Sequence, residues 1–320
     1  MAVYLDALRQ CVFIPAPTFT EKELPDQSGR VFIVTGGYAG VGKELSKMLY
    51  LRNGTVYIAG RTPDKAAKAM DEIKAAAPTS QGRLEFLQLD LADLATIKAS
   101  AQDFVQRERR LDVLTNNAGV MVPPVGSKSV QGHELQMGTN CLGPWLFAHF
   151  LTPLLKQTAA SSPPGSVRVT WAGSLGTMAS PTGGVAFDSS GNVSVHNVKF
   201  RDYAQSKAGN VLLAQQWQAL YGDASGVVSN AWNPGNLQSE LQRHSPAWQT
   251  FIAKYIVFPS KFGGYTELFA GWAPEPAKPE NRNKYIGPWG RFVMLRPDIG
   301  RNGEGEKFWQ WCEKQCQPFM

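Results

Sequence analysis

The residues of this chain best suited to acid–base chemistry are Tyr203 and Lys207, in the segment YAQSKAGN. They stand four positions apart in a helical pattern, so both side chains project from one face of a helix. An ammonium group near a phenol favours the phenolate and lowers the phenol pKa towards working pH, as a general acid–base group requires. Because such pairs are also common on ordinary helices, the other motifs must decide whether this one is catalytic.

A glycine-rich turn, VTGGYAGVGKE, lies near the start of the chain. Read from Gly37, it matches the phosphate loop of nucleotide triphosphatases, except that Glu44 replaces the Ser or Thr that would ligate magnesium. Read from Gly36, its glycines at Gly36, Gly40 and Gly42 form a dinucleotide-type turn. Such a turn lets the backbone approach a pyrophosphate at the start of a helix.

The segments around this turn favour the dinucleotide interpretation. Short apolar strands alternate with helices four times in the first 120 positions, which predicts an α/β fold with a doubly wound, Rossmann-type parallel sheet and helices on both faces. We expect an arm over residues 1–29 and a single domain over 30–320. Its cofactor half spans about 30–160 and its catalytic and substrate half about 161–320.

The second half of the chain carries the elements that would position the catalytic pair. We expect a helix over 134–157, a strand within 166–173, an irregular insert over 180–201, a helix over 203–221 and a strand within 226–235. In open parallel sheets, ligands bind at the carboxyl ends of the strands. The glycine turn and the end of the fifth strand should therefore face one crevice.

The ends of the second and third strands bear on cofactor choice. The segment AGRT lacks the carboxylate that would bind the ribose of NAD, and Arg61 is placed to pair with a 2′-phosphate, which favours NADP and makes NAD the weaker candidate. Asp64 nearby weakens that preference. Asp90 would either accept from the adenine amino group or cap the following helix, where Asp93 competes for the capping role. The segment NNAG after the fourth strand places two amides beside the expected cofactor.

The composition excludes several classes. The net charge of +6 comes from 32 basic and 26 acidic residues without a lysine or arginine run, so we expect no nucleic-acid partner. Four scattered cysteines predict reduced thiols, and Cys312 and Cys316 are spaced for packing on a helix, so no metal site is expected. The first 25 residues lack the basic start, apolar run and cleavage site of a secretory leader, so we expect none, and the apolar stretch Trp145–Leu155 is too short to span a bilayer. We expect a cytoplasmic protein; membrane-surface attachment and a homo-oligomer remain open.

Five motifs in order carry a family resemblance. TGGYAGVG, NNAG, a serine before the catalytic helix, YAQSK and NPG span Arg30 to Gly235, and together they resemble the short-chain dehydrogenase/reductase family. The YxQSKxxN form and the long insert before it are similar to the branch of retinol dehydrogenases and WW-domain oxidoreductases. The proline-bearing arm and the FWQWCEK tail resemble its fungal members.

The resemblance implies a role for each catalytic residue. Tyr203 would donate and accept the proton, Lys207 would hold the nicotinamide ribose, Ser174 would bind the reacting oxygen, and Asn140 would anchor a water in a proton relay. The implied cofactor-binding residues are Gly36, Tyr38, Gly40, Val41, Gly42, Arg61, Asp90, Leu91, Asn117, Ala118, Gly119, Tyr203, Lys207, Pro234, Gly235 and Leu237.

Three sequence features depart from the family pattern. The mildest is Ser239 in NPGNLQSEL, where the family often has threonine near the cofactor phosphates. Trp171 and Ala172 precede Ser174 where the family usually has a serine pair, so they alter its surroundings. The interval from Ser174 to Tyr203 is longer than in compact members, and Ser180 within it is a rival for the serine role.

The implied reaction is hydride transfer between NADP(H) and a carbonyl or alcohol. The insert over 174–201 and the aromatic segment 236–265 would shape the substrate pocket, which favours a lipophilic small molecule, with a place in fungal secondary metabolism. A subunit interface or a core helix is an equally weighted interpretation of the aromatic segment. Two other functions remain open: a redox-neutral isomerase or cyclase, and a cofactor-bound scaffold without turnover.

Overall fold

A computed structural model describes residues 2–12, 14–237 and 257–320. Over these residues the strands form one sheet of eight, in the order β3-β2-β1-β4-β5-β6-β7-β8. All neighbours are parallel except β7 and β8, which are antiparallel. The strands are β1 (Val31–Thr35), β2 (Thr55–Gly60), β3 (Arg83–Gln88), β4 (Val113–Asn116), β5 (Arg168–Ala172), β6 (Val228–Trp232), β7 (Tyr285–Gly287) and β8 (Arg291–Val293). The expected Rossmann-type α/β fold is confirmed, and the strand order reverses between β1 and β4, where such sheets bind ligands.

Helices cover both faces of the sheet. They are α1 (Ala2–Arg9), α2 (Gly40–Leu51), α3 (Pro63–Ala76), α4 (Leu94–Arg107), α5 (Leu135–Met137), α6 (Gly143–Ala160), α7 (Lys199–Trp217), α8 (Asp223–Ser225), α9 (Ser260–Trp272) and α10 (Glu304–Cys316). Side chains of α2, α3 and α9 share one hydrophobic core with the sheet, and those of α4, α6, α7 and α10 share the other. Because both faces are covered, central strands such as β1 are buried at every position.

Two helices differ from the sequence prediction. The helix expected over 134–157 is divided: α5 is followed by a π-helical turn, Gly138–Leu142, before α6 continues to Ala160. Pro144 explains the break, because it has no N–H to offer the carbonyl of Asn140 and so cannot continue the regular pattern. The helix expected over 203–221 begins earlier, at Lys199, and its regular part ends at Trp217.

The N-terminal arm contains a helix, α1, that the sequence analysis did not foresee. The arm contacts the body at several points: Nδ2 of Asn233 donates to Oε1 of Gln10 at 2.9 Å, and Arg291 donates to the carbonyl of Pro15 at 2.8 Å. These contacts join the arm to the turn after β6 and to β8. The domain boundaries at 29 and 160 stay predictions.

Helix α9 buries a carboxyl group. Glu267 is 0% exposed, and within the described residues neither of its carboxylate oxygens has a hydrogen-bond partner. The same helix packs closely on the sheet, since a Cβ on Gly271 would lie 3.4 Å from Val113 of β4. Burial raises the pKa of Glu267 well above its ordinary value, so its neutral form is favoured in the folded protein.

Helix α10 packs on the core that contains α6 and α7. Its side chains Phe308, Trp309, Trp311, Cys312 and Cys316 are buried against the core that contains α6 and α7. Both cysteines thus serve packing, as the spacing indicated. Across the described ranges, no helix is long and apolar enough to cross a membrane.

The aromatic segment expected over the substrate lies mostly in 238–256, outside the described residues. The residues concerned are Leu241, Trp248, Phe251, Ile252, Tyr255 and Ile256. Ser239, which departs from the family pattern, also lies outside the residues that the structure describes. At its described ends, Leu237 and Phe258 form a parallel bridge, and the N–H of Phe258 donates to the carbonyl of Asn236 at 2.9 Å.

Candidate active site

A cleft of about 300 Å³ lies at the carboxyl ends of the central strands. Its walls come from the turn between β1 and α2 and from the ends of β2, β4, β5 and β6. Thirteen of the sixteen predicted cofactor-binding residues line it: Gly36, Tyr38, Gly40, Val41, Arg61, Asp90, Leu91, Asn117, Ala118, Gly119, Tyr203, Lys207 and Pro234. The fold therefore brings most of the predicted set to one place.

The glycines of the first turn have different surroundings. Gly36 has φ +68°, and a Cβ there would lie 3.3 Å from Ala118. A Cβ on Gly42 would lie 2.6 Å from Nδ2 of Asn117, so Gly42 serves packing behind the cleft and does not line it. Gly40, with φ +52°, lines the cleft, and a Cβ there would meet no described atom within 4 Å. Of the three glycines predicted to bind the cofactor, Gly36 and Gly42 are therefore closely packed and Gly40 is open.

The start of α2 offers backbone donors to this open side. No side chain among the described residues caps its first turn, whose N-cap is Ala39. The first N–H groups of a helix lack intrahelical partners and carry the positive end of its dipole, so they favour an anion.

The triphosphatase alternative finds no support here. Lys43, which would face the phosphates, forms an ion pair with Glu72 of α3. Glu44 does not line the cleft, and its Cβ lies 3.2 Å from where a Cβ on Gly264 of α9 would stand.

Thr35 orders the NNAG segment, a role that the sequence analysis missed. Its Oγ1 accepts from the N–H groups of Asn117 at 3.0 Å and Ala118 at 2.9 Å, and donates to the carbonyl of Thr115 at 3.1 Å. Nδ2 of Asn117 donates to the carbonyl of Thr35 at 2.8 Å. The sequence signal for this role is the hydroxyl residue Thr35, which stands immediately before the glycine turn.

Positive charge gathers where β2 ends. The exposed Arg61 lines the cleft as predicted, and Lys65, in the first turn of α3, lines it too. Asp64, which had weakened the NADP preference, does not line it. The Tyr38 ring covers Gly60, where an added Cβ would lie 2.2 Å from the ring. Lys65 was missed because it lies beyond the AGRT segment, one helical turn after Arg61.

Of the two aspartates considered at the third strand end, Asp93 takes the helix-capping role. Asp93 caps α4, accepting from the N–H of Ala95 at 3.1 Å. Asp90 lines the cleft while its Oδ1 accepts from the N–H of Ala92 at 2.9 Å. Asp90 is therefore free of the helix-capping role for which it competed with Asp93.

Tyr203 and Lys207 lie together at the inner end of the cleft. Their side chains are 7% and 5% exposed, and Nζ of Lys207 is 5.8 Å from the centre of the Tyr203 ring. Nζ also donates to the carbonyl of Ala172 at 3.0 Å, and Nδ2 of Asn210 donates to the same carbonyl at 2.9 Å. The end of β5 thus fixes the lysine beside the tyrosine.

The electrostatics differ from the sequence expectation. Burial raises the pKa of Tyr203, and a hydrogen bond with the Ser174 side chain opposes this increase. Burial lowers the pKa of Lys207 to about 8. The sequence expectation of a lowered Tyr203 pKa is not met, because desolvation is the largest influence on this phenol.

Ser174 stands directly after β5, beside the Tyr203 hydroxyl. It caps a short 3₁₀ helix, Leu175–Ala179, and its Oγ accepts from the N–H of Gly176 at 3.0 Å. Neither Ser174 nor its rival Ser180 lines the cleft itself, but Ser180 donates to the carbonyl of Thr177 at 2.8 Å, whereas the Ser174 side chain forms a hydrogen bond with Tyr203. Trp171 is buried in the core that contains α4, α6, α7 and α10, where its Nε1 donates to Ser229 Oγ at 3.1 Å. The geometry favours Ser174 over Ser180.

Asn140 lies behind the cleft in the π-helical turn. Its Oδ1 accepts from the N–H of Val120 at 2.8 Å, and its Nδ2 donates to the Val120 carbonyl at 3.0 Å and to Ser206 Oγ at 2.9 Å. A Cβ on Gly119 would lie 2.9 Å from Asn140 Oδ1 and 3.3 Å from Lys207 Nζ. Asn140 is thus part of the cluster, joined to the NNAG segment and to α7.

Two further predicted residues lie beside the cleft without lining it. Gly235, with φ +86°, forms the turn after Pro234, and a Cβ there would lie 2.7 Å from Trp289. Leu237 is buried against Gly263, where an added Cβ would lie 2.3 Å away. Both lie next to Pro234, which lines the cleft, and their packing positions that part of its wall.

Comparisons with known proteins agree with this geometry. The family model described as short chain dehydrogenase matches residues 30–250. A short-chain dehydrogenase/reductase of Phomopsis amygdali is 46% identical over 323 aligned residues, covering 97% of this chain and 96% of that relative. The short-chain dehydrogenase/reductase bet4 of Neocamarosporium betae is 40% identical, with 97% and 92% covered. Among solved structures, the RhlG/NADP active-site complex of Pseudomonas aeruginosa has a TM-score of 0.62 at 22% identity, covering 84% of this chain and 98% of that one. At that identity the likeness concerns the fold alone.

Proposed function

The chain belongs to the short-chain dehydrogenase/reductase family, and on that premise we propose that it is an NADP(H)-dependent oxidoreductase interconverting a carbonyl and an alcohol on a lipophilic small molecule. The observation that carries the proposal is the cluster of the half-buried Ser174 with the buried Tyr203 and Lys207, at one end of a cleft whose other end carries Arg61 and Lys65.

The residues present fit a dinucleotide. The open side at Gly40 and the uncapped start of α2 would hold the pyrophosphate. Arg61 and Lys65 would pair with a 2′-phosphate, which the NAD ribose lacks, and Asp90 would accept from the adenine. The nicotinamide, when bound, supplies or accepts the hydride. The NADP in the printed description of the Pseudomonas structure belongs to that protein, and here supports only the choice of cofactor class.

The chain's own residues would manage the proton. In reduction, Tyr203 would give its phenolic proton to the oxygen on which negative charge develops, and in oxidation it would take that proton back. Ser174 would donate a hydrogen bond to the same oxygen, which stabilises the transition state more than the ground state. Lys207 in its ammonium form would favour the phenolate that remains. Asn140 would continue the proton path behind Lys207.

The substrate side supports a lipophilic class. Phe200 is 51% exposed, and its ring centre lies 6.1 Å from that of Tyr203. Val195 and Val198, from the insert before α7, are also exposed apolar residues near the start of this helix. The retinol-dehydrogenase-like branch and a role in fungal secondary metabolism belong to the same proposal, supported by the long insert and by relatives from fungi.

Replacing Tyr203 by Phe tests the proposal. Oxidation of NADPH should be followed over a panel of lipophilic ketones, aldehydes and quinones, with nucleotide binding measured by fluorescence titration. We expect Tyr203→Phe to lower kcat by about 100-fold or more, the scale of lost acid–base catalysis, with NADPH affinity unchanged. Tyr221→Phe, beyond the far end of α7, is the matched control and should retain activity.

Other outcomes of this experiment point to the remaining functions. Product that forms in Tyr203→Phe without consumption of nucleotide would indicate an isomerase or cyclase. Tight nucleotide binding with no turnover of any carbonyl would indicate a scaffold. Either result contradicts the oxidoreductase proposal.

A further inference from the structure

Ser174 lies beyond the hydrogen-bond ladder of the sheet. Within the described sheet, β5 and β6 end their pairing at Ala172 and Trp232, and Gly173 adds one last bond from its N–H to the Trp232 carbonyl at 2.7 Å. The next residue, Ser174, is extended, with φ −169° and ψ 159°. Its N–H and carbonyl therefore have no neighbouring strand to fix them, although the direction of its hydroxyl depends on their placement.

One phenol forms hydrogen bonds with both groups. The Oη of Tyr285, the first residue of β7, accepts from the N–H of Ser174 at 2.9 Å and donates to the carbonyl of Ser174 at 3.0 Å. Tyr285 is 4% exposed. The hydroxyl and the backbone N–H of Thr177 donate to the same carbonyl at 2.9 Å and 3.2 Å. The backbone of Ser174 is thus held by Tyr285 and Thr177 in place of a strand, and the bond to its N–H comes from Tyr285.

The sequence around Ser174 fits this contact. A Cβ on Gly173 would lie 2.4 Å from the Tyr285 hydroxyl, so a side chain at that position would displace the phenol. Burial raises the pKa of Tyr285 far above its ordinary range, and the nearby phenol of Tyr203 adds to that effect, although the hydrogen bond with the Ser174 backbone opposes it. Tyr285 therefore keeps the proton that it donates to the Ser174 carbonyl throughout the working pH range.

We propose that Tyr285 is a positioning residue for the reaction, because its hydroxyl fixes the backbone of Ser174 and so keeps the Ser174 side chain on the Tyr203 hydroxyl. The inference rests on the proposed function, in which Ser174 binds the reacting oxygen. Tyr285 belongs to none of the sequence motifs and does not line the cleft, so we expect it to act chiefly through Ser174, with which its hydroxyl forms two hydrogen bonds.

Tyr285→Phe removes the hydroxyl and keeps the ring. We expect kcat to fall by about 10-fold, the scale of one or two lost neutral hydrogen bonds, while the KM for NADPH stays unchanged. In a Ser174→Ala background the same substitution should change kcat by less than about 2-fold, because the residue through which it acts is gone. Tyr57→Phe is the matched control: Tyr57 is also a buried tyrosine, and its hydroxyl bonds to Glu108 at 2.9 Å, away from the cleft. It should leave kcat unchanged.

Amide hydrogen exchange gives a readout that needs no substrate. Peptides covering Gly173 to Ser180 should exchange faster in Tyr285→Phe than in the parent protein, and Tyr57→Phe should not alter them. If Tyr285→Phe does not fold, Gly173→Ala tests the same contact, since its methyl group displaces the phenol without removing it.

Three results would overturn the inference: unchanged kcat in Tyr285→Phe, equal losses with and without Ser174, or unchanged exchange of these peptides. Failure of the proposed function is distinguishable, because then Tyr203→Phe and Ser174→Ala would also leave turnover unaffected. If those two variants lose activity and Tyr285→Phe does not, only the role of Tyr285 is wrong.

Discussion

The buried carboxyl of Glu267 makes a quantitative prediction about stability and pH. Its pKa is raised in the folded protein by burial, from an ordinary value of 4.5. Between that value and the raised one, the folded state binds a proton that the unfolded state has released, so the free energy of unfolding falls as pH rises. Glu267→Gln removes this titration and keeps the side-chain shape. The variant should therefore gain stability over the parent by about 1.4 kcal/mol for each pH unit in that interval.

The assay is urea unfolding of both proteins at pH 5, 6 and 7, with the difference in the free energy of unfolding plotted against pH. Glu280→Gln, which changes an exposed carboxyl, is the control and should show no such slope. A constant difference between Glu267→Gln and the parent across these pH values would refute the reasoning. So would a variant that loses stability, relative to the parent, as the pH rises.

Two further predictions concern the nucleotide end and the lysine. Arg61→Ala should weaken NADPH binding by about 10- to 100-fold through loss of a charge-assisted hydrogen bond, and NADH binding by far less. Lys68→Ala, which removes the same charge from α3 outside the cleft, is the control and should affect the binding of neither nucleotide. Equal losses for both nucleotides in Arg61→Ala would contradict the role of Arg61. The pKa of Lys207 is lowered to about 8, and in the proposed mechanism its ammonium form is the active one, so kcat/KM for reduction should fall as pH rises through about 8. A flat profile from pH 7 to 9.5 would contradict that proposed role.

The parts predictable from sequence are those set by short-range pattern. Apolar runs such as VFIVT followed by glycines and a helix imply a parallel sheet, and the structure confirms the fold. The spacing of Tyr203 and Lys207 placed them on one helix face, and the comparisons confirm the family. The roles of the site residues stay predictions, although the structure gathers most of them around one cleft.

The parts that sequence did not reveal depend on contacts between distant segments. Tyr285 reaches Ser174 across 111 positions, and nothing in its own neighbourhood marks it. The raised pKa of Tyr203 likewise comes from tertiary burial, which helical spacing cannot express. Lys65 lies four positions after Arg61, so the sequence shows that the two residues are close along the chain. Only the folded structure shows that both line the same cleft.

The covering of α7 by α10 bears on how the protein is made. The helix that carries Tyr203 and Lys207 is covered on one side by residues 304–316, which are synthesised well after it. The first four parallel strands can assemble early in synthesis, whereas the layer over the catalytic helix must wait until α10 has been made. A premature stop within α10, such as one at Trp309, would therefore yield a chain with the nucleotide half present and an apolar face uncovered, which chaperones and proteases recognise.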